Sequence, residues 1–100
     1  MSTEVYRYTF VPDLPVEEIE ASLLLAILAT ESLHGESQAR LDIAHCFDTT
    51  TGACVIDAST LVGRDLNRLF VGFLRREFGE DSFAVERVTA GALPPSQPAA

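Results

Sequence analysis

The order of two hydrophobic periodicities along this chain constrains its fold more than any other feature. Residues 5–11 alternate apolar or aromatic side chains with polar ones, which is typical of a half-buried strand. A helical period then starts near Pro15 and stops at Gly35. Both patterns return further along, predicting strands over residues 39–48 and 53–59, a helix over residues 60–78 and a strand over residues 82–88. The predicted order of elements is therefore β-α-β-β-α-β.

This order predicts an α+β fold of the ferredoxin-like type, in which a four-stranded antiparallel sheet carries two helices on one face. One hundred residues with 47% apolar content are enough for one such core. We expect the domain to cover residues 1–88, and residues 89–100, which are rich in Pro and Ala, to form a disordered tail. Because many unrelated families share this topology, it predicts no function by itself.

The hydrophobic pattern also predicts the register of the central hairpin. A three-residue loop would place Cys46 opposite Cys54, as a disulfide or a metal site requires, but it would force Asp57 into the core beside Ile43. A four-residue loop with Gly52 at its left-handed position avoids this, and it separates the two cysteines onto opposite faces. The core side of the hairpin is then predicted to carry Leu41, Ile43, Phe47, Cys54, Ile56 and Ala58.

The candidate residues for metal binding or catalysis do not converge in this sequence. His45 and Cys46 are neighbours on a strand, so alternation sends them to opposite faces, and His34 fits a favourable position at a helix C-terminus. There is neither a glycine-rich phosphate loop nor a G-x-S-x-G motif. We therefore expect no metal, no cofactor and no enzymatic activity.

Charged residues on three strands form a second candidate group. Asp57, Arg7 and Glu86 are predicted to share the open face of the sheet, where paired carboxylates could in principle do acid and base chemistry. No pocket is predicted around them. A solvated network of ion pairs is the favoured interpretation.

The net charge of −8 argues against two classes of partner. The seven basic residues are all Arg, and an acid excess of this size repels nucleic acids and anionic membranes. Arg64, Arg68 and Arg75 nevertheless fall within roughly 40° of one another on a helical wheel, which defines a possible anion-binding stripe. A solvated helix face that meets acidic neighbours is the favoured interpretation. With no membrane span and no signal-peptide pattern, the expected location is the cytoplasm.

The first predicted helix is apolar nearly all the way round. Its sheet-facing arc is predicted to contain Val16, Ile19, Leu23, Ile27, Thr30 and Leu33. Leu24, Leu25 and Leu28 lie roughly 100° to 200° from the centre of that arc. The second helix could cover Leu24 and Leu28, whereas Leu25 would remain outside. A helix with apolar residues on several faces is usually buried on more than one side.

The spare leucines predict a non-enzymatic interaction or oligomerisation module. It would form a homodimer, or dock on a larger protein, through the first helix, the open sheet face or both. An alternative is a regulatory domain that binds a small anionic or amino-acid-like ligand at a subunit interface, with the arginine stripe and the charged cluster around Asp57 as the binding groups. A role as inhibitor or immunity-type partner of a basic protein also fits the acidic composition.

Overall fold

The computed structural model describes residues 4–88. The predicted tail, residues 89–100, lies outside the described residues. Within residues 4–88 the chain forms four strands, three helices and a 3-10 turn at Glu80–Ser82. The strands and helices are β1 (Val5–Phe10), α1 (Val16–His34), α2 (Glu36–Asp42), β2 (Ala44–Phe47), β3 (Cys54–Asp57), α3 (Leu61–Phe78) and β4 (Phe83–Val88).

The four strands form one antiparallel sheet in the order β2-β3-β1-β4. One face of this sheet contributes Tyr8, Cys54 and Ile56 to a core that Leu23 of α1 and Phe70 of α3 complete. The predicted α+β class and four-stranded antiparallel sheet are therefore confirmed. The prediction of two helices is wrong, because α2 is a third.

The central hairpin has the predicted four-residue loop. Phe47 pairs with Cys54 and Ala44 pairs with Asp57. The side chains of the two strands therefore lie on the faces of the sheet that the hydrophobic pattern predicts. The loop ends at Gly52, whose φ of +81° is in the region that favours glycine. The apolar pattern was sufficient here because a shift of one residue would have buried the Asp57 carboxylate.

The segment before this hairpin differs from the prediction. Residues 39–42 belong to helix α2 rather than to a strand, and Leu41, predicted to face the core, is 80% exposed. Ala39 and Ile43 are apolar at a spacing of four, which suits a helical turn as well as alternation does, and Ala39 is fully buried. The guanidinium of Arg40 also donates to the Glu36 carboxylate over 2.8 Å, an i,i+4 pair that favours the helix.

Helix α3 matches its prediction and is tightly joined to the sheet. The Thr60 hydroxyl accepts a hydrogen bond of 2.9 Å from the Gly63 amide and caps the helix. A Cβ at Gly63 would lie 2.3 Å from the backbone oxygen of Asp57, so α3 starts in direct contact with the end of β3. The buried residues of its inner face are Val62, Gly63, Leu66, Phe70 and Leu74.

Helix α1 packs beside α3 through a small and partly polar inner face. Leu23 and Ala26 are buried there, as is Thr30, whose hydroxyl donates to the Ala26 carbonyl over 2.7 Å. Leu33 was predicted to face the sheet but is 65% exposed. It lies in the last turn of a 19-residue helix that is longer than the six-residue strands beneath it, so the sheet does not cover it.

Candidate interaction surface

The outer face of α1 carries three exposed leucines that are neighbours on the helix. Leu24, Leu25 and Leu28 are 55%, 55% and 59% exposed, and their spacing of three and four residues makes them one contiguous patch. We call these three residues the leucine surface. Helix α3 covers none of them, although coverage of Leu24 and Leu28 by the second helix was one of the two expectations from the sequence.

Leu25 lies at the border between the two long helices. It lines a depression of about 200 Å³ together with Glu18, Ala21 and Ser22 of α1 and Glu77 of α3. The N-terminal half of α1 is therefore beside the C-terminal end of α3. Leu24 and Leu28 lie on the outer side of α1, so the leucine surface extends from the groove between the helices onto the open face of α1.

Other exposed leucines also belong to the helical side of the molecule. Leu33 in the last turn of α1, Leu41 on α2 and Leu61 at the start of α3 are each more than 60% exposed. Of these, Leu61 is a position that the sequence did not single out. The helical layer is therefore the side on which the large exposed apolar residues of this chain concentrate.

The three stripe arginines lie on the outer face of α3. Arg64, Arg68 and Arg75 are all exposed, and the ion pairs formed within residues 4–88 are made by other residues: Arg7 with Glu86, His34 with Asp65, and Arg40 with Glu36. The acidic neighbours expected for the stripe are therefore not in ion-pair contact with it in this part of the chain. The guanidinium groups are available to solvent.

A further residue on the outer face of α3, Gly72, was not singled out from the sequence. Gly72 lies in the middle of the helix, half-buried, and a Cβ there would have no contact within 4 Å. Its neighbours on the helix surface are Arg68, Val71 and Arg75, and we call the gap that the missing side chain leaves among them the notch. The available signal was an interior glycine in a strongly periodic helical segment, which normally has a packing reason.

The open face of the sheet brings together two of the three charged residues predicted there. Arg7 donates to Glu86 on the neighbouring strand over 2.6 Å. Asp57 instead accepts a hydrogen bond of 2.9 Å from the Ser59 amide, and Val55 is the β3 residue opposite Arg7. A depression of about 420 Å³ on this side is lined by Val5, Ile43, Ala44, His45, Cys46, Val55 and Asp57. The cluster is an exposed ion pair beside an apolar hollow.

The two cysteines are free and face opposite sides of the hairpin, as predicted. Burial raises the pKa of the Cys54 thiol to about 12, so this thiol stays protonated and unreactive at neutral pH. Cys46 is half-buried on the open face. His45 is exposed on the edge strand β2, and local desolvation lowers the pKa of its imidazole.

A contact between a histidine and a carboxylate completes the polar sites. The His34 Nε2 and Asp65 Oδ2 atoms are 2.7 Å apart and connect the last turn of α1 to the second turn of α3. Within residues 4–88 no three His, Cys, Asp or Glu side chains converge as a metal ion would require. The His34 and Asp65 pair therefore has the geometry of a link between helices.

No family model, no curated protein and no solved structure matches this chain significantly. Among residues 4–88, no helix combines the length and the apolar character that crossing a membrane requires. The most distinctive surface feature of the described chain is the patch formed by Leu24, Leu25 and Leu28 on α1.

Proposed function

We propose that this protein is a ferredoxin-like interaction module, without enzymatic activity, that associates with another protein chain through the leucine surface of α1. The strand order β2-β3-β1-β4, with α1 and α3 on one face, supports this fold assignment and makes α2 an addition to it. The free thiols of Cys46 and Cys54 suit a reducing compartment, so the proposed location is the cytoplasm.

The exposure of the leucine surface is the observation that carries the proposal. More than half of each of the three side chains is in contact with water, although burying a leucine is worth about 1.5 to 3 kcal/mol. Contiguous apolar patches on small proteins often mark interaction sites. The interior of the domain does not use these side chains, so a partner chain would gain from covering them after the entropy cost of association is subtracted.

The open face of the sheet supports docking less well. It carries the exposed ion pair of Arg7 and Glu86, which a docked chain would have to desolvate, and its apolar side chains, such as Val55 and Ala44, are smaller than leucine. Covering this face would therefore gain less than covering the leucine surface. The first helix is therefore the preferred of the two surfaces.

Binding of a small anionic or amino-acid-like ligand is the less favoured function. The arginines that would bind it are exposed on the outer surface of a helix, and Arg75 lines only an open groove of about 310 Å³ with Val71, Glu80, Phe83 and Val85. Ligand sites are usually concave and bury most of the ligand. The arginine stripe suits a rim of a protein interface better than a pocket.

A double charge substitution tests the proposed surface. Leu24→Glu with Leu28→Glu should reduce association of the protein at least tenfold, or, where the purified protein is monomeric, remove most of its binding of an apolar fluorescent dye. The measurements are light scattering over a wide concentration range and a dye titration. Because both side chains are outside the core, the free energy of unfolding of the monomer should change by no more than about 0.5 kcal/mol.

Leu41→Glu is the matched control, since Leu41 is also an exposed leucine on a helix but lies outside the leucine surface. This variant should keep the association and dye binding of the wild type. If the double variant behaved like the control in both assays, the proposed surface would be wrong. Strong destabilisation of the double variant would show instead that the leucines serve the interior of the fold.

A further inference from the structure

The notch at Gly72 is a feature of α3 that the packing of the chain does not require. Glycine is less favourable than alanine in the interior of a helix. At Gly63 it is needed, because a side chain there would collide with the backbone of Asp57. At Gly72, in contrast, a Cβ would meet no atom of the protein within 4 Å. A side chain from another helix can insert into the hole between four positions of this spacing, here Arg68, Val71, Gly72 and Arg75.

Opposite charges also remain unused on the two long helices. The acidic residues Glu17, Glu18, Glu20 and Glu31 on α1 make no ion pair within residues 4–88, and neither do the three arginines on the outer face of α3. One surface of the molecule thus presents an acidic helix with leucines beside a basic helix with a notch. Such a surface is complementary to itself.

The contact between His34 and Asp65 relates the positions along the two helices. The helices run antiparallel, because Glu77 at the end of α3 lies beside residues near the start of α1. Both helices rise by the same distance per residue. A residue a given number of positions before His34 on α1 therefore lies at the same height as the residue that number of positions after Asp65 on α3. Three steps bring Glu31 level with Arg68; six bring Leu28 level with Val71, next to Gly72; and ten bring Leu24 level with Arg75.

We propose that the partner of the leucine surface is a second copy of this chain, placed so that α1 of each copy packs lengthwise against α3 of the other. The twofold axis runs between the two helices and parallel to them, so each residue keeps its level on rotation. Leu28 of one copy then fills the notch at Gly72 of the other, while Glu31 meets Arg68. This arrangement rests on the proposed function, because it assumes that the leucine surface is covered by another chain.

Charge selects this arrangement over another twofold one. A twofold axis that lies in the contact plane and runs perpendicular to the helices would place α3 of one copy on α3 of the other. Arg64, Arg68 and Arg75 would then face the same three arginines of the second copy. Unpaired like charges in contact disfavour association. The arrangement of α1 on α3 instead gives Arg68 an acidic neighbour, Glu31, and Arg75 an apolar one, Leu24, and the stems of the arginines can cover leucine side chains.

Filling the notch is the first test. Gly72→Leu should weaken self-association at least tenfold, measured by sedimentation equilibrium of the full chain. Gly72→Ala should weaken it less. Both variants should unfold at the same temperature as the wild type or higher at concentrations where all are monomeric, because the notch is empty in the monomer and both residues favour a helix more than glycine does.

A charge exchange is the second test. Glu31→Arg and Arg68→Glu should each weaken self-association several-fold, and the chain that carries both substitutions should recover most of the loss. Arg87→Glu is the matched control, since Arg87 is also an exposed arginine but lies on β4 rather than on one of the two long helices. It should leave the dimerisation constant at the wild-type value.

The outcomes separate this inference from the proposed function. If Leu24→Glu with Leu28→Glu abolished self-association but Gly72→Leu and the charge exchange had no effect, the leucine surface would stand and the arrangement of α1 on α3 would be wrong. A wild-type protein that stayed monomeric up to millimolar concentration would exclude the second copy. Loss of dimerisation in Gly72→Leu together with recovery in the charge exchange would support the arrangement.

Discussion

Helices α1 and α3 have almost the same length and pack side by side on the same sheet, but they use their apolar residues differently. The apolar residues of α3 are concentrated on its inner face, and its outer face carries arginines. Those of α1 are spread around the helix, and some of its inner positions are small or polar, such as Ser22, Ala26 and Thr30.

This difference separates what the fold needs from what it does not. The composition of α3 is explained by the core it covers, because Leu66, Phe70 and Leu74 on its inner face are fully buried. The composition of α1 is not, since Leu24, Leu25 and Leu28 would be costly on a helix that only had to cover a sheet. Comparison of the two helices thus identifies a surplus of exposed apolar side chains on α1, which the mean hydropathy of the whole chain would not reveal.

The sharpest version of this comparison lies within α1, between two consecutive leucines. Leu23 is 2% exposed and its neighbour Leu24 is 55% exposed. Leu23→Ala should lower the free energy of unfolding by about 2 to 5 kcal/mol, because it leaves a cavity in the core. Leu24→Ala should change it by less than about 0.5 kcal/mol.

Both values should be measured by urea unfolding at low protein concentration, where association does not contribute. Equal losses for the two variants would contradict the division of α1 into an inner and an outer face. A loss for Leu24→Ala that appeared only at high concentration would instead place Leu24 in an interface between chains.

A second prediction concerns the two glycines of α3, one inner and one outer. Gly63→Ala should destabilise the protein by about 1 to 3 kcal/mol, because the added Cβ would lie 2.3 Å from the Asp57 oxygen and backbone must move. Gly72→Ala should stabilise the monomer by up to about 1 kcal/mol. Thermal unfolding of both variants beside the wild type checks the opposite signs, and destabilisation by Gly72→Ala would show that the notch is filled from within the chain.

The parts of the fold that were predictable are those where a single residue disfavours the alternatives. The hairpin register could be predicted because a shift of one residue buries Asp57, and the end of α1 could be predicted because Gly35 stops the helical period. Helix α2 was not predicted, since Ala39 and Ile43 fit both periods over so short a stretch. The side-chain pairs of Glu36 with Arg40 and of Gln38 with Asp42 favour the helix, and their spacing of four residues is the signal in the sequence that could have indicated it.

The candidate surface was predictable in part. The wheel position of Leu24, Leu25 and Leu28 indicated that they lie outside the sheet contact, and their exposure agrees with it. The wheel assumes a sheet under the whole helix, however, so it also assigned Leu33 to the core. The significance of Gly72 depends on the empty space around its Cα, which a one-dimensional pattern does not contain.

The smallest expected effect concerns how the two long helices begin. The hydroxyl of Thr60 caps α3 and also donates to the Asp42 carbonyl over 3.1 Å, whereas α1 begins after Pro15 with no side-chain cap. Thr60→Ala should cost about 1 kcal/mol of unfolding free energy, and Thr60→Ser, which keeps the hydroxyl, should cost less. Asp13→Ala, before α1, should stay within about 0.5 kcal/mol of the wild type. A cost for Asp13→Ala equal to that for Thr60→Ala would mean that α1 is capped by a side chain after all, and that its start is as firmly fixed as that of α3.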